Sequence, residues 1–517
     1  MNLNAHFEFE GKLKRILLGG MVLGVVSLAF SLIGDDEYHT RFWTNWLHNS
    51  VYFTGIAFTA MLFLSAQITA FAGWMVTFKR VWEAMSQFMW VGLILMGVIV
   101  LGVWGHFHHL YHWNTPGISD PASPLYDKIL AGKASFLNPV WFTVGVLGFL
   151  ALWYYWAKNL HQASVDQDTK ETPAFDYNKK QRKWAASFLP LGGFLSTVFI
   201  WQSVMSIDAH WYSTMFAWYS TISMLLGGIS LTIMLLIYLK SLGYMEYITQ
   251  NHLHDLGKYL FGISVFWTYL WFDQFMLIWY ANVGEETIYF KERMNHYPVL
   301  FWGNLLLNFV VPFLILMRND TKRKFGTMFF VSIIVFFGHW WDFFYMIKPG
   351  ARIAAFEAKE IAEGRFGHQT EAAPISKSAP AASHDATTHA SEAAAQTTTP
   401  ALAHDSTTHA AEGHAETAHA AAPAPSPAHD AHAEAGDSHG AAAAHHGPDK
   451  SFKMGYSFPG FPELGLMLGF LSLFLYFFFW QLSKSPLLPQ KDPYLEESLQ
   501  HDTGAIIEGE EGTNDHH

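Results

Sequence analysis

Long apolar runs alternate with short polar stretches along most of this chain, and the runs show no period-two alternation. Each is close to the roughly 20 residues that a helix needs to cross a hydrocarbon core. Ten such runs are predicted, near 13–33, 48–72, 84–105, 139–157, 184–204, 215–239, 258–281, 296–317, 325–347 and 459–482. Backbone amides find no water in lipid, so a crossing segment is either a helix or a strand of a closed barrel. Runs this long without alternation exclude the barrel. The expected fold class is all-α integral membrane with ten transmembrane helices. The first run follows Lys12, Lys14 and Arg15, as in a signal peptide, but it ends SLIGDD with no small-x-small cleavage site. It therefore reads as a retained first helix.

Lysine and arginine orient the spans. The N-terminus, the second, fourth, sixth and eighth connections and the C-terminus hold nineteen of them, against five in the short connections of the other face. Both termini are expected to be cytoplasmic. The predicted organisation is a nine-helix membrane domain at 1–347, a non-cytoplasmic loop at 348–458, a tenth helix at 459–482 and an acidic cytoplasmic tail at 483–517. The loop's middle is rich in Ala, His, Thr and Pro, with a near-repeat of SHDATTHASEAAA at 383–395 and AHDSTTHAAEGHA at 403–415. Such a composition buries too little apolar surface to offset chain entropy, and disorder is expected. Its twelve histidines from His368 to His446 suit either a chelating tract or a solubilising linker, and the linker is the reading favoured.

Composition narrows the class further. Of 517 residues, 51% are hydrophobic, 17% aromatic and only 14% charged, where a soluble protein carries about 25% charged. A net charge of −12 argues against nucleic acid as a partner. The absence of cysteine excludes disulfides, cysteine-ligated iron–sulfur clusters and covalent c-type haem. Redox centres of those kinds would belong to partner subunits. No phosphate-binding loop, nucleophile elbow or zinc-protease motif is present.

Candidate chemistry comes from polar residues inside the apolar runs. In FFGHWWDFFYM at 336–346, His339 and Asp342 stand at i and i+3 among seven aromatic residues, so they share one helix face. A charge at the bilayer centre costs roughly 2.5–3.5 kcal/mol, and such residues often mark an ion or substrate path. A histidine beside a carboxylate can also pass a proton near neutral pH. Asp273, with Gln274, lies at similar depth in YLWFDQFMLIWY; Asp208 and His210 sit at the non-cytoplasmic interface, and Glu83 opens the third helix on the cytoplasmic side. Arranged by depth, Asp273, His339 and Asp342 would join two half-pathways ending at Asp208/His210 and at Glu83. The competing reading is interhelical glue at depth, with anchoring or capping at the ends. In GHFHHLYHW at 105–113, His108 and His112 have the i, i+4 spacing of a metal pair, although interfacial hydrogen bonding fits their position better. His252, His254 and Asp255 either gather protons or cap the seventh helix.

Four stretches carry a family resemblance: RVWEAM at 80–85, MSIDAHWYSTMFAWY at 205–219, HLHDLGKYLF at 252–261 and LIWYANVGEETIYF at 277–290. They resemble the ActF-type subunit of bacterial alternative complex III, itself similar to the polysulfide-reductase (NrfD-like) membrane proteins. The likeness extends over nearly all of 1–350 plus the last helix. It implies that the central eight helices form two four-helix bundles, in a bacterial cytoplasmic (inner) membrane complex that oxidises quinol. It also implies partners: an iron–sulfur subunit, a multihaem cytochrome c, a second NrfD-like subunit and a terminal oxidase, with surrounding lipid. This subunit's implied role is structural and proton-conducting, with quinone contact a further option and no covalently bound cofactor. The chain departs from the family pattern at Gly284, where proline usually precedes the acidic pair. It departs again at Asp273, where a small polar residue is usual, which makes that carboxylate a lineage-specific relay candidate. Two alternatives stay open. A secondary transporter would show matched, interrupted half-repeats, and Pro190 and Pro312 make no convincing pair. A pure scaffold would use its polar residues as glue.

Overall fold

A computed structural model of the chain describes residues 6–33, 35–171, 173–364 and 458–503. Ten helices are long and apolar enough to cross a membrane. We label them α1 (Gly11–Phe30), α2 (Thr40–Thr69), α3 (Gly73–Gly105), α4 (Pro139–Thr169), α5 (Ala174–Ile207), α6 (Thr214–Ser241), α7 (Gln250–Ala281), α8 (Pro298–Leu316), α9 (Phe325–Ala362) and α10 (Phe461–Leu482). The described residues include no strand. The multi-pass, all-helical expectation therefore holds.

Local sequence sets the ends. Thr249 and His252 form a capping box that starts α7. Pro298 occupies the first turn of α8, where its missing N–H costs nothing. Between α7 and α8 lies a shorter amphipathic helix, Gly284–His296, with Glu285 and Glu286 in its first turn and Arg293 and His296 in its last, as the helix dipole favours.

α2, α6 and α9 are the most buried spans and cross-link through backbone carbonyls. The Tyr52 hydroxyl donates to Phe336 O at 2.7 Å, His48 Nε2 lies 2.9 Å from Trp340 O, and Thr59 Oγ1 donates to Met224 O at 3.2 Å. α1 packs mainly on α10. A Cβ on Gly24 would come within 2.6 Å of Gly469 Cα, so this crossing needs glycine for the backbones to meet. Elsewhere α1 is exposed, at Ile16, Val22 and Val25 among others.

Two boundaries differ from expectation. The ninth helix does not stop at 347 but runs through Pro349 to Ala362. Lys348 and Arg352, just past the expected end, are both buried, and Lys348 Nζ donates to Asn45 Oδ1 at 2.6 Å. Asn45 Nδ2 donates in turn to Glu463 Oε1 at 3.1 Å, and Arg41 grips Glu463 through two bonds of 2.8 and 3.0 Å. Pairing inside the fold lets these polar groups continue the helix. The expected loop thus begins at 363, and its histidine-rich part, including the expected disorder, lies outside the described residues. The second difference is the tail, whose residues 483–503 fold back over the bundle. Leu487 and Leu488 are buried, Asp492 pairs with Lys79 at 2.8 Å, and Ser498 Oγ donates to Trp74 O at 2.8 Å. Residues 504–517 lie outside the described residues.

The connections divided by lysine and arginine content also divide in space. Lys79 with Asp492, Arg80 with Asp168, and Arg323 with Asn251 gather at one end. Arg41 with Glu463, His112 with Glu357, and Arg293 with Asp208 gather at the other.

Candidate functional site

The ninth span brings His339 and Asp342 to a polar centre built by four helices. α6 contributes Tyr219 and Ser223, α7 contributes Trp267, and α8 contributes Asn304 and Asn308. Each pair on α6 and α8 is spaced i, i+4 and so lies on one face. Asp342 accepts four hydrogen bonds: from the Tyr219 hydroxyl, from Asn304 Nδ2 at 2.7 Å, from Ser223 Oγ at 2.8 Å and from Trp267 Nε1 at 3.1 Å. Asn308 Nδ2 orients Asn304 through its Oδ1 at 2.6 Å and also donates to Gly338 O at 3.0 Å. Gly338 permits this approach, because a Cβ there would stand 3.1 Å from Asn308 Cγ. The α8 backbone widens into a π turn over Leu306–Val310, a feature frequent at functional sites.

His339 and Asp342 have no solvent exposure, and His339 Nδ1 lies 4.0 Å from Asp342 Oδ2. They are joined through Ser223, whose Oγ is 2.9 Å from His339 Nδ1. With the hydroxyl donating to the carboxylate, His339 donates to the hydroxyl, and its buried Nε2 has no partner among the described residues. When Nε2 is protonated as well, the Nδ1 proton can pass to the Ser223 oxygen as the hydroxyl proton passes to Asp342, which reverses both bonds. The arrangement can therefore hand a proton between imidazole and carboxylate without moving a helix.

One helical turn along α9, Met346 O accepts from Arg293 Nη2 at 3.0 Å. The same nitrogen donates to Asp208 Oδ2 at 2.9 Å, and the guanidinium lies 3.4 Å over the Tyr289 ring. Tyr289 stacks on Trp211 at 4.0 Å, which fastens the amphipathic helix to the end of α5. Gly350 leaves room for the Asp208 carboxylate, since a Cβ there would sit 2.8 Å away. Burial pushes the Asp208 carboxyl above its ordinary range, against the pull of Arg293.

The polar run continues outward. His210 Nε2 pairs with Asp127 at 2.7 Å, His112 Nδ1 lies 3.3 Å from Glu357, and the two imidazoles are 5.9 Å apart. Burial raises the Asp127 carboxyl, but bonds from His210 and from the Leu130 and Ile129 amides outweigh it and hold the group below the usual carboxylate range. His108 and His112 do not share a helix face, because α3 ends at His106 in a left-handed conformation (φ 51°). His108 instead folds back to Ile99 O at 3.2 Å. Among the described residues, no group of three or more His, Cys, Asp or Glu is placed to hold a metal.

Glu83 belongs to the opposite end and to a separate cluster. It accepts from Arg80 Nη1 at 2.7 Å and His161 Nδ1 at 2.9 Å, while Arg80 also reaches Asp168 at 2.6 Å. No hydrogen-bonded chain among the described residues joins Glu83 to Asp342. The buried hydroxyls of Ser230 on α6, Ser264 on α7 and Ser332 on α9 have no partner among the described residues. Ser230 and Ser332 stand two turns from Ser223 and His339 respectively. His252 serves as the α7 cap and also lies 3.0 Å from Ser498 O.

Of the residues expected at mid-depth, Asp273 is the one that the structure does not bring to this centre. It is part-exposed on α7, six residues from Trp267. Six residues turn a helix through roughly 240° beyond a full rotation, which carries Asp273 off the inner face. The residues that sequence reasoning missed are Tyr219, Ser223, Trp267, Arg293, Asn304, Asn308 and Lys348. The i, i+4 spacing of Asn304 with Asn308, and of Tyr219 with Ser223, was the available signal.

A surface cleft of about 380 Å³ opens at the basic end, lined by Trp74, Asp255, Lys258, Tyr259, Gly262 and Ile263. Its two large rings lie near-parallel, 5.9 Å apart. No protein-family model matches the chain, and comparison with curated proteins gives no match either.

Proposed function

We propose that this chain is a membrane subunit of a bacterial quinol:acceptor oxidoreductase of the alternative complex III type, in which α9 handles protons. The observation that carries the proton role is the Asp342 site: a carboxylate at mid-span with four donors and a hydroxyl bridge to His339. The four quoted stretches support the family reading, together with an organisation in which electrons travel through haem and iron–sulfur partners. A two-bundle arrangement fits the packing of α2, α3, α4 and α5 with one another and of α6, α7, α8 and α9 with one another.

On this reading the basic end faces the cytoplasm, as its lysine and arginine content favours. Protons enter near Glu83, cross by way of water beside Ser230, Ser264 and Ser332, and reach His339. Ser223 passes each proton to Asp342. Beyond Asp342, one turn of α9 leads to Asp208, and His210 with Asp127 opens to the outside. Quinol oxidation elsewhere in the complex drives the change in protonation. Quinone contact is assigned to the cleft at Trp74 and Tyr259, whose stacked rings offer an aromatic surface to a planar ring.

The scaffold reading has its own support, since the donors to Asp342 come from α6, α7 and α8 and tie three helices to α9. The two readings part on proton release per electron in the intact complex. In Asp342→Asn the ratio falls if α9 conducts; an unchanged ratio at unchanged turnover removes the relay and leaves the scaffold.

A further inference from the structure

Asp342 at mid-span is partnered by its four donors, and the buried carboxylates Glu83 and Glu463 near span ends are partnered by Arg80 and Arg41. Asp273 differs. Among the described residues no hydrogen bond or ion pair reaches it, and it is part-exposed. It lies on the outer stripe of α7 with Phe266, Tyr269, Met276 and Tyr280, all of which are exposed. Their spacing of three, four and seven residues is one helical face. Trp279 and Tyr280 mark the headgroup level at this end of α7. Asp273 lies about 9 Å deeper than Trp279 along the axis, in the acyl region.

A carboxylate held against acyl chains is costly, and intramembrane acids face protein or water and pair with a donor. No described residue supplies that donor. We infer that the outer face of α7 seats a transmembrane helix of another subunit, one carrying a lysine or arginine that pairs with Asp273. The aromatic and methionine side chains around it supply the packing surface, and the acid supplies the register. This inference does not depend on quinol chemistry or on the proton path; it needs only a neighbouring membrane chain.

The test uses the full-length chain in its native membrane, with p-benzoylphenylalanine placed at Tyr269 or Met276 and, as a lipid-facing control, at Val25 of α1. Illumination followed by peptide mass spectrometry is expected to give an adduct with a transmembrane segment that contains Lys or Arg. In Asp273→Leu its yield falls about tenfold or more, as for loss of one member of a desolvated charge pair; in Asp273→Glu it is retained. Lipid adducts alone at positions 269 and 276 overturn the inference. So does an adduct to a second copy of this chain, an adduct to a segment lacking a basic residue, or a yield indifferent to Asp273→Leu. Proton release in Asp342→Asn is scored separately, so failure here and failure of the proton reading are distinguishable.

Discussion

His339 Nδ1 stands 4.0 Å from Asp342 Oδ2, too far for a direct hydrogen bond and close enough for one hydroxyl to bridge. Ser223 fills that gap at 2.9 and 2.8 Å. Ser223→Ala removes the bridge while leaving Tyr219, Asn304 and Trp267 on the carboxylate. The variant is expected to fold, to lose about 1–3 kcal/mol of stability, and to slow proton-coupled turnover by about 100-fold, the scale of a lost general acid–base group. Ser223→Thr restores the hydroxyl and much of the rate. Turnover with an artificial acceptor, recorded with proton release, checks both.

Arg293 and Asp208 form a buried pair whose separation differs in consequence from its removal. Arg293→Met leaves a carboxylate buried beneath α9 and is expected to cost about 3–5 kcal/mol, whereas Arg293→Met with Asp208→Leu costs much less. Thermal midpoints of the detergent-solubilised protein give the double-mutant cycle. Equal losses in the single and double variants would show that the pair does not hold the amphipathic helix in place.

His108 makes the loop after α3 sensitive to acid. Burial lowers its pKa from 6.5 to about 4. Between those values the unfolded chain binds a proton that the folded site refuses. Its stability contribution is thus full above pH 6.5 and is lost as pH falls toward 4, by up to about 3 kcal/mol. His108→Gln keeps a donor for Ile99 O and cannot titrate. The gap in thermal midpoint between the two proteins is expected to change across this window and to be flat above it.

α1 is held to α10 by close backbone contact. Gly24→Leu places a branched side chain where Gly469 Cα lies within 2.6 Å of a Cβ, so the helices must part. The chain has no cysteine, which makes an introduced thiol unambiguous. Ser27→Cys, at a position buried against α10, is expected to resist a membrane-permeant thiol reagent in the parent and to be labelled when Gly24→Leu is added, as read by gel mobility. The core of α2, α6 and α9 is expected to stay folded, because α1 contributes little to it.

Hydropathy alone picked out ten helices long and apolar enough to cross a membrane, and roughly where each lies, because transfer of a side chain from water to hydrocarbon is a local property. It picked out His339, Asp342, Asp208, His210 and Glu83, each of which the structure pairs within the fold. It ended the ninth helix at 347, one residue before Lys348, whose partnership with Asn45 and through it Glu463 exists only in the fold. Asp273 and Asp342 read alike along the chain, each an acid among aromatics. Packing decided between them, turning one into a ring of donors from three neighbouring helices and the other outward. Depth follows from composition along the axis; rotation about that axis, and so the partner each polar group meets, is set only when the helices assemble.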